Sequence, residues 1–126
     1  MNPVAVDSWL ERYVAAWSSY DPEEIGALFA EDVVYRFQPW DESDDTVRGR
    51  DAVVASWLET PDEPGSWTAE YRCFATDGSA AAAVGVTRYL ATDDAPEAVF
   101  HNVFLLRFDD DGRCTEFTDV YMRRPD

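Results

Sequence analysis

The most constraining feature of this chain is a change of period part-way along it. From residue 66 to the end it reads as four consecutive strand-length runs, about 66–76, 80–91, 98–108 and 113–122. Turn chemistry separates them: Asp77-Gly78, Asp93-Asp94-Ala95-Pro96 and Asp109-Asp110-Asp111-Gly112. Before them the apolar residues Val6, Trp9, Leu10, Tyr13, Val14 and Trp17 recur at i, i+3, i+4 and i+7, which puts one apolar stripe on a helix. Helices first and a long meander afterwards predict an α+β fold, a strongly bent, cone-shaped antiparallel sheet packed on three N-terminal helices.

The remaining elements fill in that outline. Asn2-Pro3, or a capping box of Ser8 and Glu11, starts the first helix. Asp21-Pro22-Glu23-Glu24 supplies an N-cap, a Pro at the first helical position and acids on the dipole of a second, short helix carrying Ile25, Leu28 and Phe29. After Glu31-Asp32 the period becomes two, with Val33, Tyr35 and Phe37 on one side of a strand and Val34, Arg36 and Gln38 on the other. Residues 39–48 read as an acidic loop, and Gly49 precedes a third helix with Val53, Val54, Trp57 and Leu58 that Pro61, Pro64 and Gly65 close. No repeat, linker or low-complexity stretch interrupts the 126 residues, so one domain over 1–126 is expected.

Charge narrows the partners. Twenty-six acidic residues against ten basic ones give −16, which repels nucleic acid and anionic membrane surfaces alike. All ten basic residues are Arg, so Schiff-base chemistry on a lysine is excluded. The acidity suits either a salty cytoplasm or a GC-rich genome. Cys73 and Cys114 form neither a disulfide framework nor a zinc knuckle. The N-terminal residues lack a signal-peptide pattern and no run of eighteen apolar residues occurs, so a cytoplasmic protein is expected.

Particular words strengthen the fold reading. Arg12-Tyr13-Val14-Ala15-Ala16-Trp17, Ala27-Leu28-Phe29-Ala30-Glu31-Asp32-Val33 and Val47-Arg48-Gly49-Arg50-Asp51-Ala52, with Leu106-Arg107-Phe108-Asp109-Asp110-Asp111-Gly112-Arg113 and Thr115-Glu116-Phe117-Thr118-Asp119-Val120-Tyr121, resemble the nuclear-transport-factor-2-like superfamily in its SnoaL-like, polyketide-cyclase-like branch. The resemblance spans the whole chain and implies a small-molecule pocket inside the cone. Ketosteroid isomerase is similar through a helix-1 tyrosine at Tyr13, but its base position falls on Phe37 or Gln38 and its oxyanion-hole acid near Phe104, so its mechanism does not carry over. Limonene epoxide hydrolase is similar through Arg88 and Asp119, while Leu90 replaces the acid two residues beyond the arginine. In the polyketide cyclases a His and an Asp work together in the pocket.

Strand alternation then nominates residues. Phe100, Asn102, Phe104, Leu106 and Phe108 share one face; His101, Val103, Leu105 and Arg107 share the other. Asp119, between Phe117 and Tyr121, is expected to point inward with Asn102 and with Arg88, the last on a face with Val84, Val86 and Leu90. Apolar burial would make Asp119 a general acid; a nearby Arg88 would make it a base or one half of an interstrand salt bridge. His101, the lone histidine, faces either the pocket, through a bulge, or an outer sheet face where a second copy docks over Val103 and Leu105. Tyr13, Trp17, Phe37, Trp57, Asn102, Phe104 and Tyr121 are the expected ligand contacts. The acidic runs 41–45 and 109–111 lack calcium-loop spacing and read as solvated turns, and nothing calls for a metal or cofactor. Two functions compete: a cofactor-independent isomerase, cyclase, dehydratase or hydrolase acting through Asp119 on a small apolar or amphipathic ligand, and a noncatalytic ligand-binding or dimerisation module.

Overall fold

The computed structural model describes residues 1–40 and 43–126. Helix α1 spans Pro3–Ser19, and Asn2 caps it by accepting the Ala5 N–H at 2.9 Å, which decides between the two starts the sequence allowed. Its apolar stripe buries Val6, Trp9, Leu10, Tyr13 and Ala16. The helix ends at Tyr20, which adopts φ 52° without being glycine. That left-handed turn costs about 1–2 kcal/mol. The Tyr20 hydroxyl, set by this turn, accepts the Asp62 N–H at 2.8 Å and ties the helix end to the loop after the third helix.

Helix α2 is short, Pro22–Ala27, capped by Asp21 through the Glu23 N–H at 2.9 Å. Phe29, expected on this helix, instead opens strand β1 (Phe29–Arg36). The chain straightens there because the Leu28 carbonyl is taken from outside the helix, by the Cys114 N–H at 2.9 Å and Trp9 Nε1–H at 3.0 Å. The register of β1 against β6 shifts between Phe29 and Val34, the stretch that contains Glu31 and Asp32. Strand β2 (Val47–Arg48) is a two-residue edge, and α3 spans Arg50–Glu59. Strands β3 (Trp67–Asp77), β4 (Ala80–Tyr89), β5 (Ala98–Phe108) and β6 (Cys114–Arg123) lie close to where their turn residues predicted them.

The six strands form one bent, unclosed sheet in the order β2-β1-β6-β5-β4-β3. The last four pair antiparallel, as does β1 with β2; β1 runs parallel to β6, a pairing that the expected all-antiparallel sheet did not contain. The connection from β1 to β6 contains β2, α3 and strands β3 to β5. Helix α1 lies across β3, where Asp7 accepts the Cys73 N–H at 2.7 Å beside the bulge in that edge strand. Trp9 packs among Phe29, Phe108 and Phe117 and is fully buried. One turn further along α1, Tyr13 packs on Trp57, Tyr71, Phe104 and Phe117, and there the core gives way to a cavity.

Parity along the strands decides which side chains reach that cavity. On β5, Asn102, Phe104, Leu106 and Phe108 are buried while His101, Val103, Leu105 and Arg107 are exposed, as alternation predicts. On β4 the inward set is Ala81, Ala83, Gly85, Thr87 and Tyr89, because Thr87 lies opposite Phe100 and Gly85 opposite Asn102. Val84, Val86 and Arg88 therefore face outward, the reverse of the sequence expectation. Two apolar faces on one strand give the alternation no polar marker to orient it.

Of the acidic runs, Asp41 and Glu42 in 41–45 lie outside the described residues. In the other, Asp109 Oδ1 accepts the N–H groups of Asp111 and Arg113 at 3.0 and 2.9 Å, so it closes a turn. No cluster of three or more His, Cys, Asp or Glu able to hold a metal occurs among the described residues. No helix among them is long and apolar enough to cross a membrane.

Candidate functional site

The cavity has a volume of about 600 Å³ and lies between α1, α3 and the inner face of β3 to β6. Tyr13, Trp17, Phe37, Trp57, Asn102, Phe104 and Tyr121 all line it, with Asp119. Phe37 and Tyr121 are 42% and 52% exposed and form its rim. Also on its walls are Tyr20, Tyr35, Tyr71, Thr87 and Tyr89, and on its acidic edge Glu59 and Asp62. Asp62 is held by Trp17, whose Nε1–H donates to Oδ2 at 3.0 Å. Trp17 in turn stacks on Trp67 with centroids 3.6 Å apart.

Asp119 is brought inward by its register opposite Phe104, and Asn102 by its register opposite Tyr121. Asn102 Nδ2 donates to Asp119 Oδ1 at 3.0 Å, and Thr87 Oγ1 donates to Asn102 Oδ1 at 2.9 Å. Thr87 has a single hydroxyl proton, so the short contact between Tyr71 and Thr87 Oγ1 must use the tyrosine proton. Four strands thus contribute one directional chain, Tyr71 to Thr87 to Asn102 to Asp119, in which every donor points toward the carboxylate. The chain also sets the Asn102 amide, because the flipped orientation would aim its oxygen at an ionised Asp119.

Burial pushes the Asp119 carboxyl above the ordinary aspartate range, and the Asn102 hydrogen bond pulls part of the way back. The tyrosines respond to the same surroundings. Tyr13 and Tyr35, whose hydroxyls lie 3.1 Å apart, are raised well above 10 chiefly by burial, with the Asp119 charge adding to both. Tyr71 is raised by burial, opposed by its bond to Thr87, and Tyr89 is raised to about 12. These phenols stay protonated and serve as donors. In the Tyr13–Tyr35 pair one proton bonds the two oxygens and the second remains for a group in the cavity.

Arg88 and His101 are not brought to this site. Arg88 lies on the outer face and pairs with Glu97, Nη1 to Oε1 at 3.1 Å, so the expected Arg88–Asp119 pair does not form. No bulge interrupts β5 near His101, which points outward with its Nε2 2.8 Å from Arg124 Nη2. The sequence reading missed Thr87, Tyr71 and Tyr89. Gly85 was the available signal: a Cβ there would stand 2.1 Å from the Glu70 carbonyl oxygen and 2.4 Å from Tyr71 Cδ1, so this strand glycine marks the close approach that folds Tyr71 inward.

The sequence model of the SnoaL-like domain family matches residues 10–117. The chain belongs to the SnoaL-like domain family. No curated protein matches it significantly. Among solved structures, this SnoaL-like domain is similar to an LEH-like epoxide hydrolase of M. tuberculosis, with a TM-score of 0.68, 17% identity, and coverage of 95% of this chain and 84% of that one. It is similar to an NTF2-like protein of unknown function from Cytophaga hutchinsonii, with a TM-score of 0.67, 16% identity and coverage of 92% and 98%. A provisionally assigned ketosteroid isomerase of Kribbella flavida gives a TM-score of 0.67 at 23% identity, covering 98% and 82%. At these identities the likeness establishes the nuclear-transport-factor-2-like fold, and the chemistry must come from the site.

Proposed function

We propose that this SnoaL-like domain is a cofactor-independent enzyme of the isomerase, cyclase, dehydratase or hydrolase kind, moving a proton on a small apolar or amphipathic molecule. The carrying observation is Asp119: a half-buried carboxylate at the cavity wall, oriented by Asn102 and, among the described residues, in no salt bridge with an arginine. A carboxylate whose proton affinity is raised by burial is a better base and a usable acid near neutrality. The Tyr13–Tyr35 pair supplies a hydroxyl proton to the oxygen on which charge develops. The epoxide hydrolase and ketosteroid isomerase among the similar structures agree with this class of chemistry. Tyr13, Trp17, Phe37, Trp57, Asn102, Phe104 and Tyr121 would contact the ligand. Turnover of a panel of lactones, epoxides, enones and steroids tests the reading. Asp119→Asn is expected to lower kcat by about 10²–10⁴ with the fold intact. Panel members that bind in the cavity without turnover by the wild type would favour the noncatalytic ligand-binding module.

We propose further that the protein is a cytoplasmic homodimer joined through the outer sheet face. Among the described residues no helix covers that face, and Val103 and Leu105 stand on it 39% and 45% exposed. Arg72, Arg88 and Arg107 balance Glu70, Asp77 and Glu116 there, so a chain of −16 meets its copy with least repulsion on this side. Light scattering should give twice the chain mass, and Leu105→Glu should give a monomer. A wild-type monomer at high micromolar concentration in moderate salt would overturn the assembly.

A further inference from the structure

Every described residue lining the cavity is aromatic, aliphatic, neutral polar or acidic; no Arg and no His is among them, and the chain has no Lys. Arginines on neighbouring strands are engaged elsewhere: Arg36, opposite Thr118 on the strand of Asp119, and Arg107 pair with Glu116, and Arg88 pairs with Glu97. Among the described residues Asp119 accepts a single hydrogen bond, from Asn102, and the donors behind it, Thr87 and Tyr71, feed that one bond. The described residues of the site therefore concentrate their donors on one oxygen of the carboxylate and bring no countercharge. The rings of Tyr13, Trp57, Tyr71 and Phe104 line the same cavity, packed edge-on or tilted against one another, and Asp62 and Glu59 add two more carboxylates to its lining.

We propose that the natural ligand of this cavity is an organic monocation, an apolar body bearing a protonated or quaternary amine whose charge is received by Asp119 and the surrounding rings. The inference rests on the reading of the cavity as a small-molecule site and narrows its substrate class. Three terms act in the same direction. The ring quadrupoles attract a cation over their faces, most strongly where water is excluded. A bound cation supplies the countercharge that a half-buried carboxylate otherwise lacks. The chain's −16 focuses a negative potential into a low-dielectric cleft, which raises the local concentration of cations and turns away carboxylate, phosphate and sulfate esters. An uncharged ligand gains none of these and leaves Asp119 uncompensated. A bound cation holds Asp119 ionised, so within the proposed chemistry Asp119 acts as the base and the Tyr13–Tyr35 pair as the donor.

The test compares three probes built on one benzyl group: benzyltrimethylammonium, its uncharged carbon isostere neopentylbenzene, and the smaller anion phenylacetate. Binding is read from amide and indole shifts of the cavity residues at constant ionic strength. The ammonium is expected to bind at least about tenfold more tightly than the isostere, and phenylacetate not at all. Asp119→Asn should bring the ratio close to one, Asp62→Asn should lower it in part, and Asp94→Asn, in the exposed loop before β5, should leave it unchanged. If Asp119→Asn lowers the melting temperature enough to unfold the domain, Asp62→Asn carries the comparison. Equal binding of ammonium and isostere in the cavity would overturn the cation inference and leave the small-molecule site standing. A preference for the ammonium that survives both cavity substitutions would also overturn it, since the net charge alone would then explain the result. Failure of every probe to shift any cavity residue at millimolar concentration would remove both readings.

Discussion

Asp119 is a residue whose environment was chosen against the stability of its charged form. It is desolvated and, among the described residues, takes one hydrogen bond and has no arginine partner, so the ionised state costs the fold something that a surface aspartate would not. Folded Asp119 therefore holds its proton more tightly than the unfolded chain does. Its contribution to stability is complete below the ordinary aspartate value of 3.8 and is lost as pH rises through the raised folded value. Asp119→Asn, which keeps an oxygen to accept the Asn102 amide, should match the wild type in melting temperature near pH 3.5 and exceed it at pH 7. A margin of about 4 °C corresponds to ~1 kcal/mol in a domain of this size. Paired thermal melts across that range decide the matter. A drop of the same size at pH 7 would mean that Asp119 holds the fold together.

At the scale of elements, β4 does more than fill a place in the sheet. Its small inward residues, Ala81, Ala83 and Gly85, let β3 and its Tyr71 ring fold over the sheet, which puts the tyrosine hydroxyl on Thr87 and begins the chain that ends at Asp119. Gly85→Ala should for this reason destabilise, although glycine-to-alanine changes at unstrained positions usually stabilise by restricting the unfolded chain. A methyl 2.1 Å from the Glu70 carbonyl forces the two backbones apart, at an expected cost of about 1–3 kcal/mol. Calorimetry gives the sign directly. An unchanged or higher melting temperature would show that the bend does not depend on the missing side chain. The same element explains a misreading: its larger apolar residues, Val84 and Val86, suggested the core side, whereas the close approach of Tyr71 leaves room only for small residues there.

For the whole molecule, net charge and shape act on different properties. The −16 repels itself at low ionic strength, and screening relieves it, so the melting temperature should rise with NaCl as the Debye length falls from about 30 Å at 0.01 M to 3 Å at 1 M. A flat response over that span would mean that the charges are too dispersed to strain the fold. Shape was largely legible from the chain. The stripe of Val6, Trp9, Leu10 and Tyr13, the alternation of Asn102, Phe104, Leu106 and Phe108, and the glycine and aspartate turns are local signals, each set by the period of its own element. They determined the α+β class, the order of elements, and the inward course of Asp119 and Asn102. What local signals could not contain is a relation between strands. The parallel pairing of β1 with β6, the outward turn of Arg88 toward Glu97, and the meeting of Tyr71, Thr87 and Asn102 behind Asp119 each depend on register and bend between distant segments. Side chains with two apolar faces to choose from are oriented by what packs against them, and that is decided only when the sheet closes over the helix.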